Sequence, residues 1–72
     1  MTLERLVQMA NQIDQFFASV GTQSEAVTGI AEHLKKFWSP LMRQMLIDGQ
    51  DSPQAVALSD RVRQALQLLS AH

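Results

Sequence analysis

The sequence predicts an all-α fold, a small compact bundle of about four helices, and three observations carry that expectation. Apolar residues recur three and four positions apart along most of the chain, the spacing that places them on one face of a helix. Helix-start signals stand at Thr2, Thr22, Ser39-Pro40 and Ser52-Pro53, and glycines or loops close the segments between them. No stretch alternates apolar and polar residues as a half-buried strand does, and no internal repeat or low-complexity tract competes.

The first helix is expected over residues 2–19, with Thr2 as N-cap and Leu3, Leu6, Ala10, Ile13 and Phe17 as its stripe. Val7, Met9 and Phe16 widen that stripe, the pattern of a helix covered on more than one side. Gly21 marks the stop, because only glycine takes the left-handed conformation without a Cβ clash. Thr22-Gln23-Ser24-Glu25 then reads as a capping box, with Ser24 as the alternative cap. Val27, Ile30, Leu34 and Phe37 form the second stripe, flanked by Ala31 and Trp38, out to about residue 38.

Ser39-Pro40 ends that helix and starts a short third one, since proline disfavours a helical conformation before it and suits the first turn after it. This helix carries Leu41, Met42, Arg43, Met45 and Leu46. Asp48-Gly49-Gln50-Asp51 reads as the clearest loop, and Ser52-Pro53 as the start of a fourth helix over residues 53–70. Its stripe is Ala55, Leu58, Val62, Ala65 and Leu69, with Val56 and Leu66 alongside and Asp60, Arg61, Arg63 and Gln64 facing outward.

A chain of 72 residues makes a single helical domain, 1–72, with a modest core. Such a core supplies about 3–5 kcal/mol without a disulfide, metal or oligomeric contact. Cysteine is absent, which excludes disulfides and argues against structural zinc or an iron–sulfur site. The only histidines are His33 and His72. The acid-bearing N-terminus does not read as a secretory signal, and no run approaches the roughly 18 apolar residues of a membrane span. A cytoplasmic location without membrane contact is therefore expected. Six basic and seven acidic residues leave a net charge of −1, so no strong field draws nucleic acid or an anionic membrane.

Catalytic templates are missing from the sequence. Glu32-His33 lacks the second histidine of a zinc helix, since positions 36 and 37 are Lys36 and Phe37. Gly21, Gly29 and Gly49 lie far apart and none precedes a Lys-Ser or Lys-Thr pair, so no phosphate loop is present. The expectation is a chain without catalytic activity of its own, with no catalytic, cofactor-binding or metal-binding residues. It acts by binding a partner.

Candidate partner-binding residues are His33, Lys36, Phe37, Trp38, Pro40, Met42 and Arg43, a run with more rings and charge than one small core needs. His33 reads first as a capping or partly buried histidine bonded to backbone, and second as a partner contact. Phe37 and Trp38 point about 100° apart on a helix, so one ring belongs at an edge or an interface. Lys35, Lys36 and Arg43 read as a solvated face, then as a patch for an acidic partner. Met9, Met42 and Met45 suit core filling or an adaptable binding surface. Replacing Trp38 and Arg43 together is expected to weaken partner binding and leave helicity intact.

Three stretches also carry a family resemblance: Met9-Ala10-Asn11-Gln12-Ile13, Phe16-Phe17, and Ile30-Ala31-Glu32-His33-Leu34-Lys35-Lys36-Phe37-Trp38-Ser39-Pro40. In order and spacing they resemble the delta subunit of NAD-dependent formate dehydrogenases over residues 6–46. Leu41 departs from the pattern, which has arginine just after the proline, and leaves Met42-Arg43 to match. The C-terminal helix carries no motif of the pattern.

The resemblance implies a cytoplasmic, multi-subunit enzyme that oxidises formate to CO2 and reduces NAD. It places the molybdenum or tungsten pterin and iron–sulfur clusters in the alpha subunit, and FMN with further clusters in the beta and gamma subunits. The delta subunit would carry no cofactor and would be an accessory that binds the catalytic alpha subunit and supports assembly or stability. One alternative is a transient chaperone for insertion of the pterin cofactor. Another is a helix-turn-helix nucleic-acid binder, suggested only by the tight Ser39-Pro40 junction and opposed by the charge balance.

Overall fold

Each helix begins where a hydroxyl takes up an otherwise free amide, and these caps fix the element boundaries. The computed structural model describes residues 2–70. Thr2 accepts from the Arg5 amide at 3.2 Å and opens α1, Leu3–Phe17. Thr22 and Glu25 close the capping box in both directions, at 3.2 and 3.1 Å, and open α2, Gln23–Phe37. Ser39 accepts from the Met42 amide at 3.2 Å, and Pro40 takes the first position of α3, Pro40–Gly49. A 3₁₀ turn, Pro53–Ala55, separates α3 from α4, Asp60–Ser70. Gly21, between α1 and α2, has φ +62°, the left-handed conformation its sequence position predicts.

No strand occurs among the described residues, and the fold is the all-helical bundle the periodicity predicts. Leu6, Val7 and Ala10 of α1 meet Val27, Ile30 and Leu34 of α2 at its centre. Leu46 of α3 and Val62, Ala65 and Leu66 of α4 complete that core. The α2 and α4 helices share the most extensive packing.

Two boundaries differ from expectation. Asp48 and Gly49 do not form a loop; α3 runs through both. A Cβ at position 49 would lie 2.6 Å from Leu3 Cδ2, so this glycine makes room for α1 against α3 and does not turn the chain. The fourth helix does not begin at Pro53 either. Ser52 donates its hydroxyl to the Gly49 carbonyl at 2.7 Å instead of capping a helix, and only a 3₁₀ turn follows.

Side chains split the backbone bonds that a helix continuous over residues 53–70 would make. In such a helix the Ser59 amide would donate to the Ala55 carbonyl. Here Ser59 N–H donates to Asn11 Oδ1 at 3.1 Å, and Ala55 O accepts from Arg63 at 2.8 Å. Asn11 Nδ2 also donates to the Ala57 carbonyl at 2.9 Å. Ser59 then caps α4, accepting from the Val62 amide at 3.2 Å. The break still buries Ala55 and Leu58, whereas Val56, expected beside the stripe, is exposed.

Candidate functional site

Of the polar α4 residues expected on outer faces, Asp60 and Gln64 are exposed, whereas Arg61 and Arg63 turn inward. Arg61 forms a forked ion pair with Asp14, Nε to Oδ1 at 2.6 Å and Nη2 to Oδ2 at 3.3 Å, across α1 and α4. The carboxylate raises the Arg61 pKa further above its ordinary value, chiefly through the hydrogen bond. A cation shifted this way keeps its stabilising charge throughout the neutral range and loses it only in strong alkali. Arg63 donates to the carbonyls of Gln50 and Ala55, at 2.7 and 2.8 Å, and so ties the exit of α3 to the 3₁₀ turn.

Arg43 is not part of a solvated basic face. Its Nη1 lies within hydrogen-bond distance of the carbonyls of Leu34, Lys35 and Trp38, at 3.3, 2.9 and 3.0 Å. These are oxygens at the end of α2, where the helix dipole favours a cation. Lys35 and Lys36 occupy the last turn of the same helix. The cluster therefore has an internal electrostatic partner. Trp38 is buried, with an extended backbone at φ −91° that folds its ring into the core, and the adjacent Phe37 is 73% exposed. The second stripe thus closes on Trp38 and not on Phe37. Replacing Trp38 and Arg43 removes fold contacts, so it does not test a surface.

A groove runs along α1 and α2. On the α1 side Met9, Gln12, Ile13, Phe16 and Phe17 line it, one helical stripe. From α2 comes His33, with Trp38 just past the end of the helix. This cleft holds about 520 Å³, and Phe16 at its edge is 71% exposed. A smaller cleft of about 190 Å³ lies beyond, between Phe17, Gly29, His33, Lys36 and Phe37. Of the widening residues of the first stripe, Val7 is buried, but Phe16 is not covered by the described residues.

Four rings form a continuous row over these clefts. Phe16 and Phe17 meet edge to face with centroids 5.1 Å apart, and Phe17 approaches His33 at 6.5 Å. His33 lies 4.8 Å from Phe37 at a tilt of 44°. His33 is half-buried, held by rings and not, among the described residues, by a backbone hydrogen bond. Gly29 makes the row possible: a Cβ there would lie 2.6 Å from the Phe17 ring.

Of the expected contact residues, the structure brings together His33, Lys36, Phe37 and Trp38 around this groove. Pro40, Met42 and Arg43 belong to α3, where Met42 packs against the core. Sequence reasoning passed over Ile13, Phe16 and Phe17 as contacts, because their spacing is that of a covered stripe. It also passed over Asp14, although an acid seven residues after Val7 and four after Ala10 falls on the buried side and requires a partner.

Among the described residues, no three His, Cys, Asp or Glu side chains converge as a metal cage would require. With no cysteine in the chain, the donor set does not fit an iron–sulfur cluster. No helix among the described residues is long and apolar enough to cross a membrane.

The family model of the NADH-dependent formate dehydrogenase delta subunit, FdsD, matches residues 5–66. The chain belongs to this family. The match covers both sides of the groove and extends beyond residue 46, through the 3₁₀ turn and most of α4. It therefore also takes in Asn11, Asp14, Arg61 and Arg63, the residues that lock α4 in place. Neither a curated protein sequence nor a solved structure matches the chain. Family membership makes this chain a subunit of a formate dehydrogenase complex.

Proposed function

We propose that the chain is a non-catalytic accessory subunit that docks on the catalytic alpha subunit and supports assembly or stability of the formate-oxidising complex. The observation that carries this reading is the aromatic groove of α1 and α2, left open by a chain whose family is that of a complex subunit. Burying such a surface against a second protein stabilises both partners through linkage. In this reading the pterin, iron–sulfur clusters, FMN and NAD belong to the alpha, beta and gamma subunits in the cytoplasm. This chain supplies contact area.

The test is purification of the active complex from its native source through a tag on this chain. A fixed ratio of this chain to the alpha subunit in the purified enzyme supports the proposal. Association only with an alpha subunit that still lacks its pterin cofactor, followed by release, favours the maturation chaperone instead. Absence of the alpha subunit overturns both.

A further inference from the structure

The groove has a chemistry that selects its occupant. Around the larger cleft, the described lining residues carry no carboxylate, ammonium or guanidinium group; Gln12 and His33 are the polar members. An ionised side chain entering it would lose its hydration without a counter-charge, so the occupant is uncharged. Its backbone conformation follows from the walls. Pairing as an added strand requires a free sheet edge, and the described residues contain no strand. Two helices side by side present the ridges and groove into which a third helix packs.

We infer, resting on the proposed subunit role, that the α1–α2 groove receives the uncharged apolar stripe of a helix from another subunit of the complex, laid across the Phe17–His33 wall. Both clefts are bounded by Phe17 and His33, so that pair divides one groove into two seats. The 520 Å³ seat has room for two large aliphatic or aromatic side chains on neighbouring turns, and the 190 Å³ seat takes one further along the same helix. Glu32 and Lys36 border the smaller seat only, so polar residues flanking the incoming stripe pair at that end. Phe16 and Phe37 stand exposed at the two ends of the ring row and close over the occupant.

A photo-crosslinking amino acid placed at Gln12 of the full chain, expressed with the whole complex, reads the occupant directly. The same probe at Gln64, on α4, is the control. The expected product from Gln12 joins an apolar position on a helix of another subunit, and the Gln64 probe does not reach that helix. In parallel, Phe16→Ser combined with Phe37→Ser is expected to lower co-purified partner at least tenfold with an unchanged thermal melt. Crosslinking to an extended segment, to a charged segment or to a second copy of this chain overturns the inference. Full co-purification of the double variant also overturns it, while leaving the subunit role standing. If the unaltered chain recovers no other subunit, the proposed function itself fails.

Discussion

The two edges of α1 are built in opposite senses. Asn11 and Met9 lie about 160° apart around the axis. On the Asn11 edge, polar side chains are turned inward: Asn11 is bonded to the Ala57 carbonyl and the Ser59 amide, and Asp14 is forked to Arg61. On the Met9 edge, apolar side chains are only partly buried against the core, and Phe16 is 71% exposed. The first edge has its partners within the chain. The second has an apolar surface and, among the described residues, no such partner. Polar groups are retained inside because each meets a backbone group or charge that would otherwise be buried alone, and nothing equivalent among the described residues accounts for the exposed rings.

The largest test of that contrast is Trp38→Ala. Trp38 forms the inner wall of the groove yet belongs to the core, so its loss is expected to cost about 3–5 kcal/mol. That is comparable to the whole stability of an isolated core of this size, and urea titration followed by circular dichroism should show a largely unfolded chain. A folded variant with weakened docking would move Trp38 from the core to the surface side of the comparison. Arg43→Ala is expected next, at about 1–3 kcal/mol, because the Lys35 and Trp38 carbonyls at the end of α2 lose a donor, while the Leu34 carbonyl keeps the Trp38 amide. Arg43→Lys should restore only part of the melting temperature, since all three contacts come from Nη1 and the lysine stem ends one bond short of that atom.

Asn11→Ala probes the polar edge at about 1–2 kcal/mol, for two hydrogen bonds lost to the break before α4. Hydrogen exchange should show the loss concentrated in residues 56–62. Uniform loss over all the helices would mean that Asn11 supports the whole bundle and not this joint.

The fold was legible where its causes are local. Caps at Thr2, Thr22 and Ser39 and the glycine stop at Gly21 act within a few residues of themselves, and their spacing reports them. The break between residues 55 and 60 was not legible, because the side chain holding it open, Asn11, lies 48 positions from the amide it accepts. Gly49 misled for a related reason: it resembles a turn residue, but its lack of a side chain serves Leu3, far away in sequence. At the groove, periodicity identified an apolar stripe correctly but did not distinguish the part this chain covers from the part it leaves exposed.

Gly29 offers the finest test, because two effects nearly cancel there. Alanine in a helix interior is favoured over glycine by about 0.8–1 kcal/mol, and α2 should gain that helicity. A Cβ at position 29 would, however, lie 2.6 Å from the Phe17 ring, which must swing away from α2. The ring is the far end of a side chain only half-buried, so it moves at modest cost. Gly29→Ala is therefore expected to change stability by less than about 0.5 kcal/mol, the scale of an ordinary surface substitution. Its effect should appear in shape instead: shifted NMR resonances of Phe17 and His33, and weaker partner binding as the wall between the two clefts moves. If stability rises by the full alanine preference while the ring resonances stay fixed, Gly29 does not hold Phe17 in place, and the division of the groove into two seats loses its structural basis.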